Sequence, residues 1–108
     1  MQIDISGHHV GMTEALKNHV IEKVSKIEHH FDTVTDVHCI LTVDGDRHVA
    51  EATMNVKGKR LYAESTKDNM YTAIDSMAHK LTRRVRRHKE RLHDHHTKEA
   101  NKIAISKN

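Results

Sequence analysis

The chain has 108 residues, a length that suits one compact domain and is too short for two full hydrophobic cores. Its single cysteine excludes an internal disulfide framework, and with one phenylalanine, two tyrosines and no tryptophan the core has to be a thin layer of aliphatic and methionine side chains. The net charge of +3 is unevenly spread: residues 1–78 carry 8 basic and 12 acidic side chains and residues 79–108 carry 10 and 3, an asymmetry that favours a polyanionic partner.

The first predicted elements are a strand and a helix. Met1, Ile3 and Ile5 alternate with polar residues, which predicts a half-buried strand that ends at Gly7. Thr13 is a suitable N-cap for a helix that extends to about Asp32. The apolar residues at helical spacing along it are Leu16, Val20, Val24, Ile27 and Phe31.

Three further strands are predicted between residues 35 and 65. Turns at Asp44-Gly45-Asp46 and Lys57-Gly58 separate them, and such short connections predict an antiparallel meander. The alternating residues expected to face the core are Val37, Cys39, Leu41, Val43, Ala50, Ala52, Met54, Val56, Leu61, Ala63 and Ser65.

The last predicted element is a long helix. Asp68 or Asn69 can cap it, and apolar residues recur in a narrow arc as far as Leu92. A helix over residues 69–92 would be roughly 36 Å long, so its end should project beyond the sheet. Residues 93–108 have little apolar periodicity and are predicted to form a mobile tail containing histidine and lysine, outside a domain of residues 1–92.

The order β-α-β-β-β-α predicts an α+β fold. Both helices have an apolar stripe to bury, so we expect them on one face of a four-stranded sheet, as a two-layer sandwich. This arrangement resembles the double-stranded-RNA-binding domain, a likeness of fold that says little about function by itself.

A run of basic residues distinguishes the last helix. Seven of the thirteen residues from His79 to Arg91 are lysine or arginine. On a helical wheel, five of them fall within about 100° of arc on one flank of the apolar stripe, whereas Arg86 and Lys89 lie elsewhere. The five are Lys80, Arg83, Arg84, Arg87 and Arg91.

This basic flank can be interpreted in two ways. A solvated helix face is the simpler interpretation. However, like charges at i,i+4 spacing repel one another, and a phosphate partner removes that repulsion. The planar fork of arginine also grips phosphate oxygens in bidentate fashion. Because no helix-turn-helix or aromatic stacking motif is apparent, shape-based binding of folded RNA fits best.

The first helix carries a smaller basic flank, formed by His19, Lys23, Lys26 and His30. If both helices lie on one face of the sheet, the two flanks could border a single positive groove. Ordinary surface residues would explain the first-helix group equally well.

The chain resembles the short ribosome hibernation-promoting factor and ribosome-associated inhibitor family of bacteria. The resemblance covers about residues 1–92, and its most specific part is the segment that enters the basic helix. The matching segments are Met-Gln-Ile-Asp-Ile-Ser-Gly at residues 1–7, Val-Gly-Met-Thr-Glu-Ala-Leu at 10–16, Lys23 and Lys26 ahead of Phe31-Asp32, Asp-Asn-Met-Tyr-Thr-Ala-Ile-Asp at 68–75, Lys80-Leu81 and Arg87-His88-Lys89.

The resemblance implies a non-enzymatic protein that binds the small ribosomal subunit, through 16S rRNA, in the channel of messenger RNA and the A- and P-site transfer RNAs. Translation would be inhibited by occupancy, in stationary phase or under stress. A short member lacks the C-terminal domain by which long members pair ribosomes. It would act as a monomer without a cofactor, and would need ribosome modulation factor for ribosome dimerisation. The implied RNA-binding residues are Lys23, Lys26, Lys80, Arg83, Arg84, Arg87, Lys89 and Arg91.

Two departures from the family pattern matter. Arg84 stands where the family often has glutamine, so its contact does not follow from the resemblance. Residues 93–108 lack the acidic extension typical of the inhibitor, which favours the promoting factor.

Three other chemistries are less well supported. His93, Asp94, His95 and His96, with or without His88, offer metal ligands, but a mobile tail does not hold ligands rigidly. Cys39 beside His38 or His48 would suit a cysteine enzyme, yet its strand neighbours are apolar. The Asp44-Gly45-Asp46 turn lacks the remaining ligands of a calcium loop.

Compartment and partner class are also expectations at this point. No secretory leader and no run of about 18 apolar residues is apparent, so we expect a cytoplasmic protein that does not cross a membrane. The main alternative to a ribosome-specific factor is a general double-stranded-RNA or DNA binding module.

Overall fold

The computed structural model describes residues 1–31 and 34–106, and within them it describes side chains as far as Arg91. Two helices and four strands follow one another in the predicted order, so the α+β fold class is confirmed. The likeness to the double-stranded-RNA-binding domain stays a prediction. The elements are β1 (Gln2–His8), α1 (Glu14–His30), β2 (Val34–Asp44), β3 (Arg47–Val56), β4 (Lys59–Lys67) and α2 (Met70–Ser106).

The strands form one sheet in the order β1-β2-β3-β4. β1 is parallel to β2, whereas β2, β3 and β4 form the predicted antiparallel meander. The two hairpin turns each need a residue with positive φ, and glycine supplies it, with φ of +60° at Gly45 and +83° at Gly58. Because β4 is the last strand in this order, one of its sides is free of any strand partner in the described sheet.

Both helices start at the predicted caps. The Thr13 hydroxyl oxygen accepts a hydrogen bond from the Leu16 backbone N–H at 3.1 Å. The Asn69 side-chain oxygen accepts from the backbone N–H groups of Tyr71 at 2.8 Å and Thr72 at 3.3 Å. These bonds satisfy donors that have no partner inside the helix.

The two helices pack on one face of the sheet around a single core, which confirms the two-layer arrangement. Most residues predicted from the two periodicities to be buried are buried, because an apolar stripe on each helix meets the inward alternation of the strands. Val43 is only half-buried, and the side chain of Leu92 lies outside the described ones. The largest fully buried side chains include Leu41, Met54, Ile74, Met77, Leu81, Val20, Val24, Val37 and Val85.

α2 is longer than predicted. The predicted end near residue 92 is wrong, because the helix continues to Ser106. Apolar periodicity shows where a helix packs and not where it stops; the chain has no proline and no glycine after Gly58 to stop it. The predicted projection beyond the sheet is confirmed, since 37 helical residues far outrun the longest strand of 11. Mobility of residues 93–108 stays a prediction.

Neither described helix contains a stretch that is both long and apolar enough to cross a membrane.

Candidate nucleic-acid interface

The packing of α2 divides its exposed surface into two flanks. Its buried stripe, which includes Ile74, Met77 and Leu81, lies on β3 and β4. One side of the helix contacts α1 through Tyr71, Asp75 and Lys89, and we call this side the α1 flank. On the other side five basic residues run along the free edge of the sheet. This set, called the β4 flank, consists of Lys80, Arg83, Arg84, Arg87 and Arg91.

An open groove runs between the β4 flank and strand β4. It encloses about 470 Å³. Its helix side is basic, and its strand side is formed by Tyr62 and Glu64. The basic residues that line it are Lys80, Arg83, Arg84 and Arg87. The groove therefore contains a wall of cations that is long enough for several anionic groups.

Lys80 ties the helix to the strand edge. Its Nζ atom donates a hydrogen bond to the backbone carbonyl of Glu64 at 3.0 Å. That carbonyl points away from β3, and every second residue of an antiparallel strand points its backbone groups the same way. A lysine over such an edge satisfies an unpaired acceptor and discourages pairing with another chain. Lys80 thus has a structural contact as well as a charge to offer.

The arginines of the β4 flank have no acidic partner among the described side chains. None of Arg83, Arg84, Arg87 and Arg91 takes part in any ion pair within 4.0 Å in that part of the chain. Arg83 and Arg87, and likewise Arg87 and Arg91, are four residues apart on the helix and repel each other. An anion with several charges would relieve this repulsion and would be held by forked hydrogen bonds.

The strand wall of the groove contains hydrogen-bonded side chains. The Tyr62 hydroxyl lies 2.7 Å from a carboxylate oxygen of Glu51 and 2.8 Å from one of Glu64. Partial burial and these two neighbouring carboxylates raise the pKa of Tyr62, so its hydroxyl keeps its proton. The single proton is donated to one carboxylate at a time. Glu64 is thereby held at the groove, and its charge directs an anionic ligand toward the arginines.

Three basic residues of α1, His19, Lys23 and Lys26, have acidic neighbours. His19 Nε2 lies 2.6 Å from Asp75 Oδ1, and Lys23 Nζ lies 3.7 Å from the same oxygen. The His19 ring also meets the Tyr71 ring edge-on, with centroids 5.0 Å apart. Lys26 Nζ lies 3.8 Å from a carboxylate oxygen of Glu22. Two of the predicted RNA-binding residues are therefore partly neutralised.

The eight predicted RNA-binding residues fall into two separate groups. Five form the β4 flank, whereas Lys23 and Lys89 lie at the junction of the helices and Lys26 is exposed on α1. Lys89 Nζ is 5.5 Å from the centre of the Phe31 ring, the residue that ends α1. The basic flanks of α1 and α2 therefore do not border a single groove, as they could have done from the sequence alone. The reason is that the arginines of α2 face β4 and not α1.

Sequence reasoning missed Tyr62 and Glu64. Alternation in β4 shows that both point away from the core, but it does not show that β4 is the edge strand or that α2 lies along it. The basic wall was visible on the helical wheel, whereas the strand opposite it depends on the order of strands in the sheet.

The geometry does not add support for a cysteine enzyme or for a metal site. Cys39 is fully buried, and burial raises the pKa of its thiol to about 12, which leaves it protonated at neutral pH. Among the side chains that the structure describes, no three histidine, cysteine or carboxylate groups are clustered as metal ligands. His93, Asp94, His95 and His96 lie outside those described side chains.

Comparison with known families adds an independent line of evidence. The family described as "Sigma 54 modulation protein / S30EA ribosomal protein" matches residues 3–93. A ribosome hibernation promoting factor of Azotobacter vinelandii is 44% identical over 91 residues, which cover 84% of this chain and 85% of the relative. The one from Escherichia coli K12 is 38% identical over 95 residues, covering 88% of this chain and all of the relative.

Two solved structures share the fold. A ribosomal subunit interface protein from Coxiella burnetii superposes with a TM-score of 0.79 at 24% identity, covering 83% of this chain and 99% of its own. The N-terminal domain of Thermus thermophilus Protein Y gives a TM-score of 0.75, also at 24% identity, covering 81% of this chain and 98% of its own. At this identity the likeness supports the fold alone.

Proposed function

Because the chain belongs to the sigma 54 modulation protein / S30EA ribosomal protein family, we propose that it is a ribosome hibernation factor. It binds the small ribosomal subunit in the channel of messenger RNA and the A- and P-site transfer RNAs, in the cytoplasm. It inhibits translation by occupying that channel and performs no chemistry. Bound ribosomes are held inactive in stationary phase or under stress, and ribosome modulation factor acting on the same ribosome promotes their dimerisation.

The observation that carries this proposal is the β4 flank. Four of its five residues line an open groove and have no carboxylate within ion-pair distance among the described side chains; they are Lys80, Arg83, Arg84 and Arg87. Such a surface suits the closely spaced phosphates of 16S rRNA, because each cation that neutralises a phosphate releases counterions. Phosphate contacts position a protein without reading sequence, so specificity for the ribosomal site comes from the shape of the RNA.

The second group of basic residues plays a smaller part in the proposal. RNA is also contacted by Lys23 and Lys89 at the helix junction and by Lys26 on the exposed surface of α1. Lys23 and Lys26 already lie near carboxylates. We therefore assign most of the affinity to Lys80, Arg83, Arg84, Arg87 and Arg91. The protein acts as a monomer, since its basic surface needs no second copy to complete it.

Cosedimentation with purified small subunits tests the proposal. We expect the wild-type protein to stay bound at moderate salt and to compete with initiator transfer RNA. The variant Lys80→Glu/Arg83→Glu/Arg87→Glu should lose binding. A variant with the same change of net charge at exposed positions outside the groove, Lys17→Glu/Lys57→Glu/Lys67→Glu, should bind almost as the wild type does.

The competing function is a general double-stranded-RNA or DNA binding module. Equal affinity for the subunit and for any duplex of matched charge would establish that module and contradict the hibernation proposal. A preference for the subunit that survives excess duplex competitor would support hibernation.

A further inference from the structure

We propose that the start of β4 extends the RNA-binding surface. Lys59 and Arg60 face Arg84, Arg87 and Arg91 across a second pocket, here called the hairpin pocket, which takes phosphates of the RNA backbone. This inference rests on the proposed function and adds to it the β3–β4 hairpin, whose basic residues were not among the predicted site residues.

The charge of the hairpin pocket is its main feature. The pocket encloses about 320 Å³, and among the described side chains its lining includes five lysine and arginine residues and no carboxylate. It differs in this respect from the neighbouring groove, whose lining includes Glu64. Two separate elements bring these cations together, although bare like charges repel. A ligand that carries several negative charges at short intervals would remove the repulsion, and a nucleic-acid backbone is such a ligand.

Arg60 is oriented before any ligand arrives. Its Nε atom donates a hydrogen bond to the Asn55 side-chain oxygen at 3.2 Å. The Asn55 amide nitrogen in turn donates to both carboxylate oxygens of Asp36, at 2.9 Å and 3.0 Å. This series of hydrogen bonds uses one of the five N–H groups of the Arg60 guanidinium. The two terminal nitrogens remain for a forked contact with phosphate, the geometry in which arginine binds that group best.

His88 supplies a polar group that lacks a partner. It is half-buried and lines the hairpin pocket, and its Nε2 atom is shielded from solvent without a hydrogen bond to any described residue. Shielded polar atoms in folded proteins normally have a partner. A phosphate or ribose oxygen that enters between Arg87 and Arg91 would complete the hydrogen bonding of this ring.

Neutral substitutions at the hairpin test the pocket. We would compare Lys59→Gln/Arg60→Gln with the matched variant Lys57→Gln/Lys67→Gln. The matched variant removes two exposed basic residues outside the pocket lining, one in the β3–β4 turn and one at the end of β4. Affinity for purified small subunits would be measured against salt concentration. The loss of two phosphate contacts should weaken binding by about 20-fold at 0.15 M salt and reduce the slope of log affinity against log salt by about 1.5. The matched variant should stay within about twofold of the wild type.

The outcomes separate this inference from the proposed function. Wild-type affinity and slope in the hairpin variant would overturn the hairpin pocket and leave ribosome binding intact. Equal losses in the two double variants would also overturn it, since general charge would then explain the effect. Failure of the wild-type protein to bind subunits would instead overturn the proposed function.

A helix-side variant keeps the test independent of the hairpin fold. Arg91→Gln changes only α2, and it should reduce the salt slope by about 0.7. An unchanged slope for Arg91→Gln would count against the pocket even if the hairpin variant did not fold. Displacement from the subunit by polyglutamate, without displacement by an RNA of equal charge, would overturn the assignment of the ligand as RNA.

Discussion

On its α1 flank, α2 places the Asp75 carboxylate beside cations of α1, whereas its β4 flank, among the side chains described as far as Arg91, holds five cations and no carboxylate. Asp75 contacts both His19 and Lys23 across the helix junction. No described carboxylate lies within ion-pair distance of Arg83, Arg84 or Arg87 on the opposite flank. The same helix thus carries one flank that serves the fold and one that stays available to a ligand.

The difference shows how charge can be distributed when stability and binding compete. Pairing at the helix junction holds α1 against α2 at small cost to the affinity for a polyanion. Pairing at the β4 flank would lower that affinity, because each bound phosphate would have to displace a carboxylate first. The unpaired flank carries a repulsion instead, which an anionic ligand removes.

Charge reversal on one flank at a time is the most direct test of whether the two flanks differ in their contribution to RNA affinity. Arg84→Glu/Arg87→Glu should weaken binding to small subunits by about 100-fold or more, because two phosphate contacts are lost and two repulsions are added. Arg86→Glu/Lys89→Glu makes the same charge change on the same helix, away from the β4 flank. Fluorescence anisotropy of a labelled protein should show a loss of less than about tenfold for that variant. Equal losses would mean that the affinity follows net charge and that the flanks are equivalent.

Much of this architecture was predictable from the sequence, because it follows from local rules. The two N-caps, the strand alternation and the apolar stripes each depend on residues within a few positions of one another. Tertiary packing did not override any of them. The end of α2 does not follow from apolar periodicity, because that pattern marks only the packed part of a helix. Alanine, present at positions 100 and 104, has a high intrinsic helix propensity.

The site was predictable only in part. A helical wheel shows which side chains share a flank, so Lys80, Arg84 and Arg87 were grouped correctly. It does not show which neighbour the flank faces, since that depends on strand order and on the side of α2 to which α1 packs. For this reason the opposing residues Tyr62 and Arg60, and the separation of the two basic groups, emerged only from the structure.

A smaller effect should distinguish the flanks by their response to salt. Arg87→Gln should reduce the slope of log affinity against log salt by about 0.7 to 0.9 and the affinity by about fivefold, since one phosphate contact is lost. Lys23→Gln should change the slope by much less, because the lysine already lies 3.7 Å from Asp75 and releases few counterions on binding. Titrations between 0.05 and about 0.3 M salt would measure both slopes. A full unit of slope at Lys23 would show that the ion pair opens when RNA binds.

The smallest expected effect concerns stability, and it should have opposite signs on the two flanks. Asp75→Asn removes the partner of His19 and Lys23, but the Asp75 side chain is 50% exposed, so the loss should be only about 0.5 kcal/mol. The thermal midpoint should fall by about 2 to 3 °C.

Arg84→Gln instead relieves repulsion from Lys80 and Arg87 without changing helix propensity much, and should raise the midpoint by about 1 °C. Both shifts should shrink in about 0.5 M salt, because exposed charges are then screened. Destabilisation by Arg84→Gln would contradict the view that the β4 flank is under charge strain, since it would mean that Arg84 makes a stabilising contact in the free protein.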